Sequence, residues 1–148
     1  MKKRFASLHA RAFSHATENL DKVKRAMENV LGETELKVSR TEGTHGNPIT
    51  VLEASIEDSD EISCLFGRMS EDDLARLLTT MRNRIDNGCN LFIRIDKQEA
   101  YKGGVRLATN DDVISIRLRV LAFPARCEVA SEIAKDYIEA ELERRKVS

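Results

Sequence analysis

Apolar and polar residues alternate from Phe5 to Ser14, with Leu8, Ala10 and Ala12 on one side and His9, Arg11 and Phe13 on the other. A period of two predicts a strand with one covered face. After Thr17, read as a helix cap, the spacing becomes helical: Leu20, Val23, Met27, Val30 and Leu31 form one stripe, and Gly32 stops it. Glu35 to Glu42 returns to alternation and is expected to bury Leu36 and Val38. The turn Gly43-Thr44-His45-Gly46-Asn47-Pro48 leads into a third strand, Ile49 to Glu57, and its shortness predicts an antiparallel hairpin.

Two helices follow. Asp58 to Met69 turns Ile62, Leu65 and Phe66 inward, and Ser70 to Asp86 carries a stripe of Leu74, Leu77, Leu78, Met81 and Ile85. Ser70 with Asp73 resembles a capping box, and Asn87-Gly88 breaks the helix. Asn90 to Asp96 is the fourth strand, Lys97 to Asp112 a polar connection, and Val113 to Phe123 the fifth strand, ended by Pro124. Arg126 to Arg145 forms the last helix. Every strand alternates, whereas strands buried on both faces read as continuous apolar runs. The expected architecture is therefore α+β, a single domain over residues 1–148 with one mostly antiparallel five-stranded sheet and helices packed on one face.

That architecture leaves the other face open. Strand parity places His9, Arg11, Phe13, Lys37, Ser39, Phe92, Arg94, Arg117 and Arg119 on it, together with Val51, Glu53 and Asp96. Aromatic rings among Arg and Lys suit single-stranded RNA, because rings stack on bases and cations neutralise phosphates. His9, Arg11, Phe13, Lys37, Phe92, Arg94, Arg117 and Arg119 are accordingly the candidate RNA-binding residues. The same face also suits a plain solvated surface, a homodimer interface through Phe13, Phe92 and Val51, or a protein-interaction module that touches no RNA.

Composition narrows the alternatives. Charged residues make up 33% of the 148-residue chain, yet Lys and Arg number 24 against 25 for Asp and Glu, so overall charge favours no polyanion. Its distribution is uneven. Lys2, Lys3, Arg4, Arg11, Lys22, Lys24 and Arg25 face only Glu18 and Asp21 within residues 1–25, while Asp58, Asp60, Glu61, Glu71, Asp72 and Asp73 cluster around Arg68. Three cysteines without C-x-x-C spacing argue against a disulfide framework or a zinc site and fit a reducing cytosol. No stretch approaches the roughly 20 apolar residues of a membrane span.

No catalytic constellation is visible, so the chain is read as a non-enzyme without cofactor or metal. His9 and His15 lie about 20 Å apart along one strand and cannot share a metal. His45 has no nucleophile or carboxylate tied to it by a motif, and Gly103-Gly104 fits neither phosphate-binding glycine pattern.

Four strings carry a family likeness: Ala10 to Glu18, Gly43 to Ile49, Asp96 to Gly103 and Ala122 to Arg126. Together they resemble the archaeal proteins described as predicted exosome subunits or RNA-binding proteins, over nearly the whole chain. The resemblance implies a fold like that of the ribosomal protein that contacts 5S rRNA, an often dimeric state, an archaeal cytoplasm, and RNA and exosome proteins as partners. It supplies no catalytic residue. His45, Asn47, Asp96, Lys97, Gln98 and Tyr101 match its strings and stand as site candidates, with turn geometry and loop-pinning hydrogen bonds as the alternative roles.

Overall fold

The computed structural model describes residues 3–43 and 46–147. In chain order the elements are β1 (Phe5–His15), α1 (Leu20–Leu31), β2 (Lys37–Glu42), β3 (Pro48–Ile56), α2 (Ser59–Arg68), α3 (Glu71–Arg84), β4 (Asn90–Asp96), α4 (Lys97–Tyr101), β5 (Val113–Val120) and α5 (Cys127–Val147). The strands form a single sheet in the order β2-β3-β1-β5-β4, and every neighbouring pair is antiparallel. The fold is α+β, with the helices packed against this sheet.

The alternation does what it predicts. One face buries Leu8, Ala10 and Ala12 of β1, Leu52, Ala54 and Ile56 of β3, Leu91, Ile93 and Ile95 of β4, and Ile114, Ile116 and Leu118 of β5. The helices meet it with Val23, Met27, Leu65, Phe66, Leu74, Leu77, Ala134 and Ile138. The fully covered alanines on central β1 leave room for the large side chains around them, a small-against-large fit that dense interiors require.

Several local expectations need correction. The cap of α1 is Asn19, not Thr17: its side-chain oxygen accepts the N–H of Asp21 at 2.9 Å. Ser70 does cap α3, accepting from the Asp73 N–H at 3.1 Å. Asp73 does not close the box in return, since its carboxylate accepts the Leu107 N–H at 3.0 Å. Val38 is 44% exposed rather than buried, because all of β2 is exposed and overhangs the helical layer as an edge strand. The Lys97–Asp112 connection is not simply polar coil. It opens with α4, and its residues 105–108 run along the outer edge of β4, where the Asp96 N–H bonds the Arg106 carbonyl and the Ala108 N–H bonds the Arg94 carbonyl, both at 2.9 Å. β5 stops at Val120, leaving Phe123 in a loop at 88% exposure.

Candidate nucleic-acid interface

Strand register fixes the layout of the uncovered face. One row across the sheet runs Ser55, His9, Arg117, Phe92 over β3, β1, β5 and β4; the next runs Glu53, Arg11, Ser115, Arg94, with Lys37 of β2 beside Glu53. On the other side of the first row, Ser7 faces Arg119, which faces Asn90. Phe13 faces Val51, which faces Ser39. All eight residues expected to touch RNA thus lie on one face.

Their charges are not equivalent. Glu53 holds Arg11 at 3.3 Å and lies 3.7 Å from the His9 Nε2, while His9 Nδ1 meets the Ser55 hydroxyl at 3.2 Å. Arg94 is paired with Asp111 at 3.1 Å. Among the described residues, Arg117 and Arg119 have no carboxylate at ion-pair distance. Arg117 does act at longer range on Asp86, whose carboxyl sits below its usual value chiefly through hydrogen bonding to Asn90. Among the described residues Lys37 also lacks a carboxylate at ion-pair distance, so the uncommitted positive charge of this face lies on Lys37 at the β2 edge and on β5, where Arg117 and Arg119 stand about 7 Å apart along the strand.

Phe92 stands across from Arg117 and is 42% exposed; Phe13 is 43% exposed. The two rings are roughly 16 Å apart by strand spacing and rise. Val51 is buried, so the apolar part of the face is two separate rings rather than a continuous patch. Asn90, which shares the Arg119 row, was readable from the same parity but carries no signal of its own.

Asp96, Lys97, Gln98, Tyr101 and Asn47 of the family strings lie towards the opposite end of β1 and make structural contacts there. Asp96 caps α4, accepting the Glu99 N–H at 2.9 Å. Lys97 is 3% exposed, and its Nζ meets the Phe13 carbonyl at 2.8 Å, Glu18 at 2.9 Å and Asp112 at 2.8 Å. Gln98 donates to Asp112 at 2.8 Å, and the Lys22 ammonium lies 5.2 Å from the centre of the Tyr101 ring. The Asn47 carbonyl accepts the Gly43 N–H at 2.8 Å, closing the β2–β3 turn. His45 lies outside the described residues. A cavity of about 330 Å³ opens beside this knot, lined in part by Thr17, Lys22, Gln98 and Tyr101.

The described residues contain no group of three or more His, Cys, Asp or Glu able to hold a metal ion. They also contain no helix long and apolar enough to cross a membrane.

Residues 7–120, which take in part or all of each of the five strands, match the family described as RNA binding. The chain belongs to that family. It is 35% identical over 145 residues to the RNA-binding protein PAB1135 of Pyrococcus abyssi, a match covering 91% of this chain and 94% of that protein. Among solved structures it is similar to AF2318 of Archaeoglobus fulgidus, with 33% identity, a TM-score of 0.81, and coverage of 90% of this chain and 99% of that one. It is also similar to Mth689 of Methanothermobacter thermautotrophicus, with 28% identity, a TM-score of 0.80, and coverage of 92% and 99%. These relatives are archaeal, and the two solved structures are described as DUF54 proteins.

Proposed function

We propose that the protein binds single-stranded or irregular RNA across its open sheet face, without catalysis, centred on Arg117 and Arg119. The observation that carries this reading is the pair of arginines on β5 that have no ion-pair partner among the described residues, with the exposed ring of Phe92 alongside. Arg117 and Arg119 supply phosphate contacts, and Phe92 supplies a stacking surface for a base. Arg11 and Arg94, paired with Glu53 and Asp111, play a smaller part, and Lys37 on edge strand β2 adds a further cation. A sheet built for a protein partner would be expected to gather its apolar area, whereas Phe13 and Phe92 stand apart with charge between them.

The resemblance of the four strings carries a finer form of the proposal: the RNA is handled in the cytosol beside an RNA-degrading machine, which co-purification of exosome proteins with the tagged chain would test. Self-association belongs to the proposal only in a form that keeps the open face clear.

The central test is Arg117→Glu with Arg119→Glu, measured against a single-stranded oligoribonucleotide over a range of salt. Each phosphate contact contributes roughly 0.7 to the slope of log affinity against log salt, so the double variant should flatten it by about 1.4 and weaken binding strongly. Thermal stability should barely change, because exposed charges contribute little to folding. Lys102→Glu is the control: its side chain is 73% exposed, and it follows α4, which packs on α1. Equal loss from the control would reduce the effect to general electrostatics, and no binding by the unaltered protein at low salt would leave the protein-interaction reading.

A further inference from the structure

The two ends of the chain are basic, at Lys2-Lys3-Arg4 and at Arg144-Arg145-Lys146. The fold brings Lys3 and Arg4 close to Arg144. Lys3, Arg4 and Arg144 share the rim of a cavity of about 330 Å³ between the start of β1, the first turn of α2 and the face of α5. Phe5 and Ile62 contribute to its floor and Tyr137 to its wall. The tyrosine ring is held rigidly, edge-on to Phe5 with centroids 4.9 Å apart and to Phe66 at 5.2 Å. Ser59 and Ser63 add hydroxyls, and Asp60 adds a carboxylate that only accepts hydrogen bonds.

The rim carries available charge. Among the described residues, neither Lys3 nor Arg4 has a carboxylate at ion-pair distance. Arg144 is paired with Glu141 but keeps 58% of its side chain exposed. Burial raises the Tyr137 hydroxyl above its usual pKa against the opposing hydrogen bond with Ser63, so the wall stays neutral at physiological pH.

Cations alone would hold any anion, and an apolar recess alone any greasy side chain. A recess of this size with an aromatic wall, hydroxyls and an acceptor inside and three cations at its mouth matches a planar hydrogen-bonding base joined to a phosphate. Its position matters as well. The Arg4 carbonyl accepts the Leu121 N–H at 2.9 Å, and Ser7, three residues on, faces Arg119. Along extended chain that is about 10 Å. The recess therefore lies around the end of the sheet from the unpaired arginine pair.

We propose that this cavity takes one nucleotide, its base against Tyr137 and its phosphate on Lys3, Arg4 and Arg144, as the unit of an RNA strand that continues onto Arg119 and Arg117. The inference rests on the open-face reading above and extends it to a pocket that the sheet alone does not provide. A free nucleoside monophosphate has the same chemistry and is the other source of such a ligand.

The experiment uses the full chain and an oligouridine of about ten nucleotides, within the range of sites for single strands. 4-Thiouridine is placed at successive positions for photo-crosslinking. Crosslinks should map to Tyr137 or Phe5 from one position and to Phe92 from another a few nucleotides away. Lys3→Gln with Arg4→Gln should lower affinity roughly tenfold and flatten the salt slope by about 1.4. Ser59→Trp, at an exposed position on the cavity wall, should abolish the Tyr137 crosslink and spare the one at Phe92. Uridine and adenosine monophosphate, followed through the amide resonances of Phe5, Ser63 and Tyr137, should bind only weakly. If Arg117→Glu with Arg119→Glu abolishes RNA binding while both cavity variants behave as the unaltered protein, the cavity proposal is overturned and the open-face reading stands. Tight binding of a monophosphate with no cavity crosslink from the oligonucleotide would also overturn it, in favour of a free nucleotide. An unaltered protein that binds no oligonucleotide removes the open-face reading and this inference with it.

Discussion

An ammonium group has three N–H donors, and buried Lys97 places all of them, on the Phe13 carbonyl, Glu18 and Asp112. With no donor left for a phosphate, this residue ties the end of β1 to the start of α4. Lys97→Met should therefore destabilise the fold by about 2 kcal/mol, less than the 3–5 kcal/mol of a fully buried broken pair because both carboxylates keep some solvent. RNA affinity should be unchanged once the protein is folded. A chemical-melt midpoint and an RNA titration on the same variant separate the two roles, and lost affinity in a stably folded Lys97→Met would assign the lysine to the interface. Phe92 makes the opposite expectation. It is exposed beside Arg117, so Phe92→Ala should leave stability nearly intact and cost about 1–3 kcal/mol of single-strand affinity, the usual worth of one stacked base. A Phe92→Ala protein that binds as tightly as before would remove stacking at this ring from the interface.

At the scale of elements, periodicity was enough to place all five strands and the four long helices, because all of them except β2 bury one side. Where burial and pattern part, the reading slips. Val38 alternates like a core residue but belongs to an edge strand that the helices do not reach. Residues 105–108 gain their order from β4's edge, and no local pattern announces that pairing. Parity could put Arg11, Arg94, Arg117 and Arg119 on one face, but only the register shows that Glu53 and Asp111 engage the first two. The Lys3–Arg4–Arg144 cavity depends on contacts between opposite ends of the chain, which a linear reading registers only as two basic runs.

The link between β4, α4 and β5 also sets an acid limit. Burial raises the Asp112 carboxyl, but hydrogen bonds from Lys97 and Gln98 and the charge of Lys97 outweigh it and hold it below the ordinary carboxylate value. A carboxyl with a lower pKa folded than unfolded stabilises above its unfolded pKa and loses that contribution as the pH falls through its folded value. Melting temperature should therefore drop as the pH falls below about 4. Asp112→Asn should be less stable at neutral pH and show a shallower drop. A variant with the same acid profile as the unaltered protein would place the titrating groups elsewhere.

For the whole molecule, the two sheet edges differ. The outer edge of β4 is occupied by residues 105–108 and by Asp86, whose N–H bonds the Asn90 carbonyl at 3.1 Å, whereas among the described residues β2 pairs only with β3. Facing residues in an antiparallel pair either both turn their backbone groups towards each other or both turn them away. Two copies of β2 joined about a two-fold axis must therefore match residues of like parity, with the axis passing through a residue and not between two. Residues of like parity point the same way in a strand. The axis then stands perpendicular to the sheet, and any dimer built on this edge presents both arginine pairs on one continuous surface with the helices all behind it. An axis through Thr41 sets Arg40 of each copy against Glu42 of the other, and among the described residues neither side chain has an ion-pair partner within its own chain. In light scattering, Arg40→Glu should favour the 16.7 kDa monomer and the exchange Arg40→Glu with Glu42→Arg should restore association, while Thr41→Cys should oxidise to a linked dimer. Indifference of the mass to both charge variants would exclude that register. Symmetry about this edge would double the length of strand one particle can hold without adding a residue to the chain.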